Sequence, residues 1–170
     1  QHEHVDVRQG SGLKVLSPGE TDCIAIAGMG ASTIISILED DMELAQSAEL
    51  LVLQPMAGAA SLRAWLCSHG WQLAAEELVD DAPHFYEIIA AKRGSAPAYS
   101  AAEYAVGPLL LAQKHPLLGK QLERQLASCR QLLENMGRSE RARASEKYKE
   151  IEALKAELEV LQNGKRSDSK

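Results

Sequence analysis

Two glycines at the end of an apolar segment are the residues of this sequence best placed to do chemistry. Gly28, Met29 and Gly30 follow the apolar run at 23–27 and precede a helical pattern. Glycine lets a backbone approach a ligand closely, and the edge of an open α/β sheet where such turns lie is where ligands bind. The full GxGxxG spacing is absent, so a tight strand–helix turn without a ligand stays open as the alternative.

Two further segments follow predicted strands at the same edge of the sheet. Gly10, Ser11 and Gly12 form a loop that either borders a cofactor or is a plain connection. Gln54 precedes Pro55, whose ring favours an extended conformation at residue 54. That conformation could direct the Gln54 amide towards the edge of a base. The alternative, an amide that caps the loop, explains the pattern equally well.

A basic cluster is predicted at the bend between two long helices near the end of the chain. The formal net charge is −6, but acidic side chains outnumber basic ones only over residues 1–100, and the balance reverses over 101–170. We therefore expect a polyanionic partner to contact the second part, through a phosphate-binding tip. A solvated helix face with interspersed glutamates is the alternative. The cluster consists of Arg138, Arg141, Arg143, Lys147 and Lys149.

Several other chemistries are excluded or disfavoured. Cys23, Cys67 and Cys129 are far apart and form no CxxC pair, which argues against a disulfide framework or a zinc site and fits a reducing cytosol. We find no metal-ligand cluster, no Ser/His/Asp set and no Walker loop. The longest apolar stretch, 23–31, is far shorter than the roughly 20 residues that span a bilayer. We expect a cytoplasmic protein that binds neither metal nor membrane.

Strands and helices alternate over the first 98 residues. The pattern predicts right-handed crossovers in a parallel α/β sheet, followed by two strands that close it as an antiparallel hairpin. This is the arrangement of class I methyltransferases, which are Rossmann-like. The predicted elements are a strand at 4–8, a helical turn at 13–16, a strand at 22–27 buried on both faces, a helix through 34–38, a strand at 50–53, a helix with Ser61 as its N-cap, and a hairpin at 71–79 and 84–91.

The last third of the chain is predicted to be helical. Apolar residues recur with a period near 3.5 over 116–136 and again over 148–161. Two such narrow seams indicate an antiparallel helical hairpin or short coiled coil. We therefore expect a Rossmann-like domain at 1–98, a helical domain at 99–164 and a disordered tail at 165–170, in a monomer or a weak dimer through the helical hairpin.

Several segments of the chain, taken together in their order and spacing, are similar to one known family. The segments are VRQGSGL at 7–13, IAIAGMG at 24–30, LVLQPM at 51–56 with RAWL at 63–66, FYEIIA at 85–90 and GPLLL at 107–111. Together they resemble the bacterial TrmK family, the tRNA (adenine-N1)-methyltransferases that act at tRNA position 22. The resemblance covers about 3–136, and the second long helix is similar to the family's C-terminal hairpin.

The resemblance implies a cofactor, a substrate and their sites. S-adenosylmethionine would be the cofactor and tRNA the partner, with Ala27 and Gly28 beside the methionine end and the loop at 10–12 near the cofactor's adenine. Ser11 stands where the family usually has Asp, and the resemblance implies that this replacement weakens the affinity for the cofactor. The family's first strand and acidic glycine loop have no counterpart and would precede Gln1. We therefore expect this chain alone to bind S-adenosylmethionine poorly and to be inactive.

The expected reaction is methylation of N1 of an adenine. Its lone pair attacks an electrophilic methyl group directly, so alignment and desolvation matter more than a strong base. Two alternatives stay open: a non-catalytic scaffold or dimerisation protein derived from a methyltransferase, and a methyltransferase for another RNA base. The expected roles are methyl-transfer geometry for Gly28, Met29 and Gly30, base orientation for Gln54 and Tyr86, and phosphate contact for Arg138, Arg141, Arg143 and Lys147.

Overall fold

The computed structural model describes residues 5–167 and divides the chain into two compact units, 1–97 and 98–170. The first unit is a sheet with helices, and the second consists of helices and their connections. Each unit is built around its own apolar core.

Four strands form the sheet of the first unit. They are β1 (Cys23–Gly30), β2 (Leu50–Ala57), β3 (Trp71–Asp81) and β4 (His84–Arg93), in the order β1-β2-β4-β3. β1 and β2 are parallel, whereas β4 is antiparallel to both β2 and β3. A parallel pair closed by an antiparallel hairpin confirms the predicted fold class. The helical elements of this unit are a 3-10 helix (Gly12–Val15), α1 (Ala31–Asp40), α2 (Met42–Ser47) and α3 (Ala59–Ser68).

The core of the first unit lies on one face of the sheet. Ile24 and Ile26 of β1 are buried and lie opposite Leu51 and Leu53 of β2, while the residues between them in β1 are exposed. α1 and α3 contact each other and bury Ile34, Leu38, Leu62 and Leu66. The expectation that β1 is buried on both faces is therefore wrong, because in the described residues apolar side chains cover only one face.

Two local predictions were also wrong. Val5 and Val7 are 83% and 89% exposed and lie in no strand, because no described strand pairs with them, and His4 lies outside the described residues. The described sheet therefore has four strands rather than five. Ser61 is not an N-cap: it lies inside α3, where its hydroxyl donates to the Gly58 carbonyl at 2.7 Å, and Gly58 (φ +78°) caps the helix instead.

The second unit contains the predicted pair of long helices. Buried Leu118, Leu122, Leu126 and Cys129 line one helix, which packs along the other. Burial raises the pKa of the Cys129 thiol, and nearby Lys155 partly opposes this shift. The helices of this unit are α4 (Ala101–Val106), α5 (Pro108–Ala112), α6 (Leu118–Met136), α7 (Glu140–Arg143) and α8 (Glu146–Ser167).

The end of the chain was expected to be a disordered tail at 165–170. The backbone of α8 continues to Ser167, and residues 168–170 lie outside the described residues.

Candidate active site

The Gly28–Gly30 segment forms the last residues of β1 rather than a turn after it. Its pairing with β2 shifts register on both sides of Met29, which leaves that side chain 41% exposed. Gly28 has φ +77°, a conformation that side chains with a Cβ rarely adopt, although an added Cβ would meet no atom within 4 Å. The backbone conformation therefore requires glycine here, and the surrounding space is open.

Gln54 holds this irregular strand end in place. The Gly28 N–H donates to Gln54 Oε1 at 2.9 Å, and Gln54 Nε2 lies 3.6 Å from Met56 Sδ. Gly28 has no partner in the β1–β2 register, so the side-chain amide replaces the missing ladder contact. The Gln54 oxygen thus accepts a hydrogen bond from the end of β1, and the role of Gln54 in orienting a base stays a prediction.

A pocket of about 320 Å³ lies beside β1. It brings together residues from two of the predicted segments, Gly12 from the first loop and Met29 from the strand end. No charged side chain lines it, so it fits an uncharged planar ring better than a phosphate. The lining residues are Gly12, Leu13, Leu16, Cys23, Ile24, Ala25, Ile26, Met29 and Ile37.

The loop at 10–12 is crowded on two sides. A Cβ on Gly10 would lie 2.2 Å from Val15 Cγ1, and Gly12 has φ +57° with Ile37 Cγ2 at 3.3 Å from its Cβ position. Ser11 is exposed, and its hydroxyl makes no hydrogen bond within the described residues. The two glycines therefore fix the loop and leave the Ser11 hydroxyl available.

Arg8 closes this loop, a role that the sequence analysis missed. Its guanidinium donates to the Val15 carbonyl at 2.9 Å and forms ion pairs with Asp6 and Glu20. The hydrogen bond from Arg8, with a second from the Ser17 N–H, holds the pKa of the Glu20 carboxyl below its usual range. The arginine thus ties the segment before the loop to the turn after it.

Tyr86 lies on β4, which β2 separates from β1. It is half-buried, with its ring centroid 5.8 Å from that of His84. β4 runs antiparallel to β2, so the start of β4 and the end of β2 share one edge of the sheet. Tyr86 therefore lies at the same edge as Gln54, but two strands away from Gly28.

A buried ion cluster next to this edge was also missed. Arg63 of α3 is fully buried and contacts Glu76 of β3 at 2.5 Å and Glu87 of β4 at 2.8 Å. One signal in the sequence could have revealed this cluster. Arg63 lies alone among the apolar positions of a helix, and Glu76 and Glu87 occupy inward positions of the two hairpin strands. The cluster ties α3 to the hairpin beside Tyr86.

The predicted basic tip lies in the second unit, around α7. Arg138 is 3.8 Å from Glu134, and Lys147 and Lys149 pair with neighbouring glutamates at 3.5 and 3.4 Å. Arg141 and Arg143 are exposed, and neither forms an ion pair with any described residue. The bend between α6 and α8 therefore carries two cations that pair with none of the described side chains.

Over residues 5–167, no three His, Cys, Asp or Glu side chains are grouped so as to hold a metal ion. In the same range, no helix combines the length and apolarity needed to cross a bilayer.

The sheet and its glycine-bearing edge define a Rossmann-like methyltransferase fold. A profile of the TrmK family, tRNA (adenine(22)-N(1))-methyltransferase, matches residues 1–163. The tRNA (adenine(22)-N(1))-methyltransferase of Bacillus subtilis (strain 168) is 32% identical in an alignment of 165 residues, gaps included, that covers 94% of this chain and 68% of that protein. The chain belongs to the TrmK family, as the resemblance of its motifs predicted.

Two solved structures agree with this assignment. The B. subtilis m1A22 tRNA methyltransferase TrmK superposes with a TM-score of 0.79 at 29% identity, over 94% of this chain and 70% of the other. A Streptococcus pneumoniae protein in complex with S-adenosyl-L-methionine gives 0.76 at 27% identity, over 94% and 69%. The chain thus spans about two thirds of the length of these relatives.

Proposed function

We propose that this chain carries the methyl-transfer site of an enzyme that methylates N1 of adenine 22 in tRNA with S-adenosyl-L-methionine. Membership of the TrmK family supports the reaction, and a tRNA substrate supports a cytoplasmic location. The observation that carries the assignment of the site is the hydrogen bond from the Gly28 N–H to Gln54 Oε1, which fixes an exposed, irregular strand end at the edge of the sheet.

The chain has little chemistry to perform beyond alignment. S-adenosyl-L-methionine, when bound, supplies an electrophilic methyl group. Adenine N1 has an in-plane lone pair, so no side chain needs to remove a proton before it attacks. Gly28, Met29 and Gly30 shape the space for the base, with Gln54 as a positioning residue that fixes Gly28. Tyr86 orients the base from the far side of β2.

The cofactor is held on the opposite side of this strand end. Gly10, Ser11 and Gly12 border its adenine, with the free Ser11 hydroxyl as the polar contact, while Ala27 and Gly28 border its methionine end. The uncharged pocket of about 320 Å³ that contains Gly12 and Met29 supports this placement, because an adenine ring is apolar on its faces.

The tRNA backbone is contacted by the second unit. Arg141 and Arg143 are exposed and make no ion pair with a described residue, so phosphates need not displace an internal partner. Arg138 and Lys147 have only exposed partners, and such pairs exchange easily with solvent or phosphate. These four cations form the proposed phosphate-binding tip.

The test is the variant Gln54→Ala in the full-length protein, assayed for methyl transfer to a tRNA transcript with adenosine at position 22. We expect kcat to fall about 2- to 10-fold, because the exposed hydrogen bond that fixes Gly28, worth about 0.5–1.5 kcal/mol, is lost at the site. Gln46→Ala, at an exposed position of α2, is the matched control and leaves the rate unchanged.

A transcript with guanosine at position 22 completes the design. Loss of methylation on that transcript, with the wild-type enzyme, supports adenine as the substrate base. A Gln54→Ala enzyme as fast as wild type would exclude the Gly28–Gly30 strand end from the proposed site. Equal methylation of both transcripts would refute adenine as the substrate base.

A further inference from the structure

A groove in the second unit has no place in the proposed reaction. Its volume is about 560 Å³, and its lining is mostly apolar but includes two glutamates. Val160, one of its apolar residues, is 70% exposed. The lining residues are Ser100, Ala102, Glu103, Leu111, Glu157, Val160 and Leu161.

The two carboxylates of this groove are held in place but not neutralised. Glu103 accepts from the Ser100 N–H at 2.7 Å, and Glu157 accepts from the Ala102 N–H at 3.2 Å. Each of these bonds uses the Oε2 atom, and neither glutamate forms an ion pair with a described residue. A mostly apolar lining with two fixed, uncompensated carboxylates is complementary to a cationic segment that also carries apolar side chains.

The tip around α7 has the complementary chemistry. Arg141 and Arg143 are its cations without partners among the described residues. Leu132, about one helical turn before the end of α6, is 45% exposed and is an apolar side chain near the same end of the hairpin. The tip and the groove lie at different places along the same antiparallel pair, since Glu157 is about 17 Å along α8 from its start.

We propose that the groove binds the basic tip of a second copy of this chain. In a pair related by a two-fold axis across the α6–α8 hairpin, each tip meets the other copy's groove, so the same contact forms twice and the assembly closes as a dimer. The contacts are small and strongly charged. The dimer is therefore weak, and salt dissociates it by screening.

This inference stands apart from the proposed function, because it needs neither cofactor nor substrate. The dimer and the proposed function share two residues, because the arginines that contact the second copy, Arg141 and Arg143, are also assigned to tRNA phosphates. A polyanion that occupies the tip therefore competes with dimer formation, and the dimer is the state of the protein without tRNA.

Sedimentation equilibrium of the chain at about 50 mM and 500 mM NaCl tests the proposal. We expect a monomer–dimer equilibrium at low salt that shifts to monomer at high salt. The double variant Glu103→Gln and Glu157→Gln should weaken dimerisation at least about tenfold. The amide keeps an acceptor oxygen for both backbone N–H groups, so the N-terminus of α4 keeps both hydrogen bonds. Glu43→Gln with Glu49→Gln removes the same charge from exposed positions in the first unit and leaves the dimer unchanged.

A charge swap makes the test specific for a second copy. The variant Arg141→Glu with Arg143→Glu, and separately Glu103→Lys with Glu157→Lys, should each be monomeric, because like charges then face each other. Mixed together they should form a heterodimer, in which each tip again meets a groove of opposite charge.

Three results would overturn the proposal. One is a chain that stays monomeric at low salt at every concentration. Another is a dimer that the double glutamine variant leaves intact. The third is a monomeric chain that binds a synthetic peptide of residues 138–149, which would assign the groove to a cationic segment of a different protein.

Discussion

The first unit should be strongly destabilised by removal of the Arg63 side chain. Its guanidinium is fully buried, and it contacts Glu76, which is 1% exposed, and Glu87, which is 16% exposed. Replacement by Met keeps most of the volume but leaves two carboxylates facing a site without a cation. The perturbation therefore tests desolvated charge rather than packing.

The magnitude follows from the burial of the three groups. Breaking a buried ion pair by removal of one partner costs about 3–5 kcal/mol, because the remaining charge stays desolvated. Small domains have about 5–15 kcal/mol of unfolding free energy, so Arg63→Met should remove a large part of it. Adding Glu76→Gln to this variant removes the most buried carboxylate and should restore at least about 1 kcal/mol.

Urea unfolding followed by tryptophan fluorescence measures this free energy directly. Both tryptophans of the sequence, Trp65 and Trp71, lie in the first unit with ring centroids 5.6 Å apart, so their signal reports on this unit. Lys14→Met, at an exposed position, is the control and should change stability by less than about 0.5 kcal/mol. An Arg63→Met variant within about 1 kcal/mol of wild type, or one that Glu76→Gln destabilises further, would refute the reasoning.

Two further predictions concern titratable groups. The pKa of the Glu20 carboxyl should lie below the ordinary glutamate range in a carbon-13 NMR titration, and Arg8→Gln should raise it towards that range, with the Ser17 N–H still lowering it. Because its folded-state pKa is lowered, its contribution to stability is present above the unfolded pKa and is lost as the pH falls through the folded value. The buried Cys129 thiol, whose pKa burial raises, should react with a thiol reagent at pH 8 far more slowly than exposed Cys23; equal rates would contradict the described burial.

Most of the fold could be predicted because apolar runs and their breaks are local signals. The residues of β2, the β3–β4 hairpin and α6 each carry such a signal in their own sequence. The strand expected at 4–8 had the same local pattern, yet Val5 and Val7 pair with no described strand. A strand exists only with a neighbour, and a pattern of alternating residues does not supply one.

The contacts that organise the candidate site were beyond local reasoning. Arg63 lies 13 and 24 residues from its two partners, and Gln54 lies 26 residues from Gly28. Residue types gave Gln54 two equal interpretations, a base contact or a loop cap. Only the register of β1 on β2, which places Gln54 opposite Ala27, brings its amide to the Gly28 N–H.

The same register explains why the irregularity of β1 lies at this point. Met29 is opposite Pro55, which has no N–H to donate to a strand ladder, and the register shifts on both sides of Met29. A regular strand there would gain little from β2, while the Gln54 side chain offers an acceptor to the displaced Gly28 N–H. Glycine permits the φ of +77°, but the Gln54–Pro55 pair on the neighbouring strand favours it. The shape of the proposed methyl-transfer site is thus determined by two strands together, which is why substitution of Gln54 should alter it without touching a glycine.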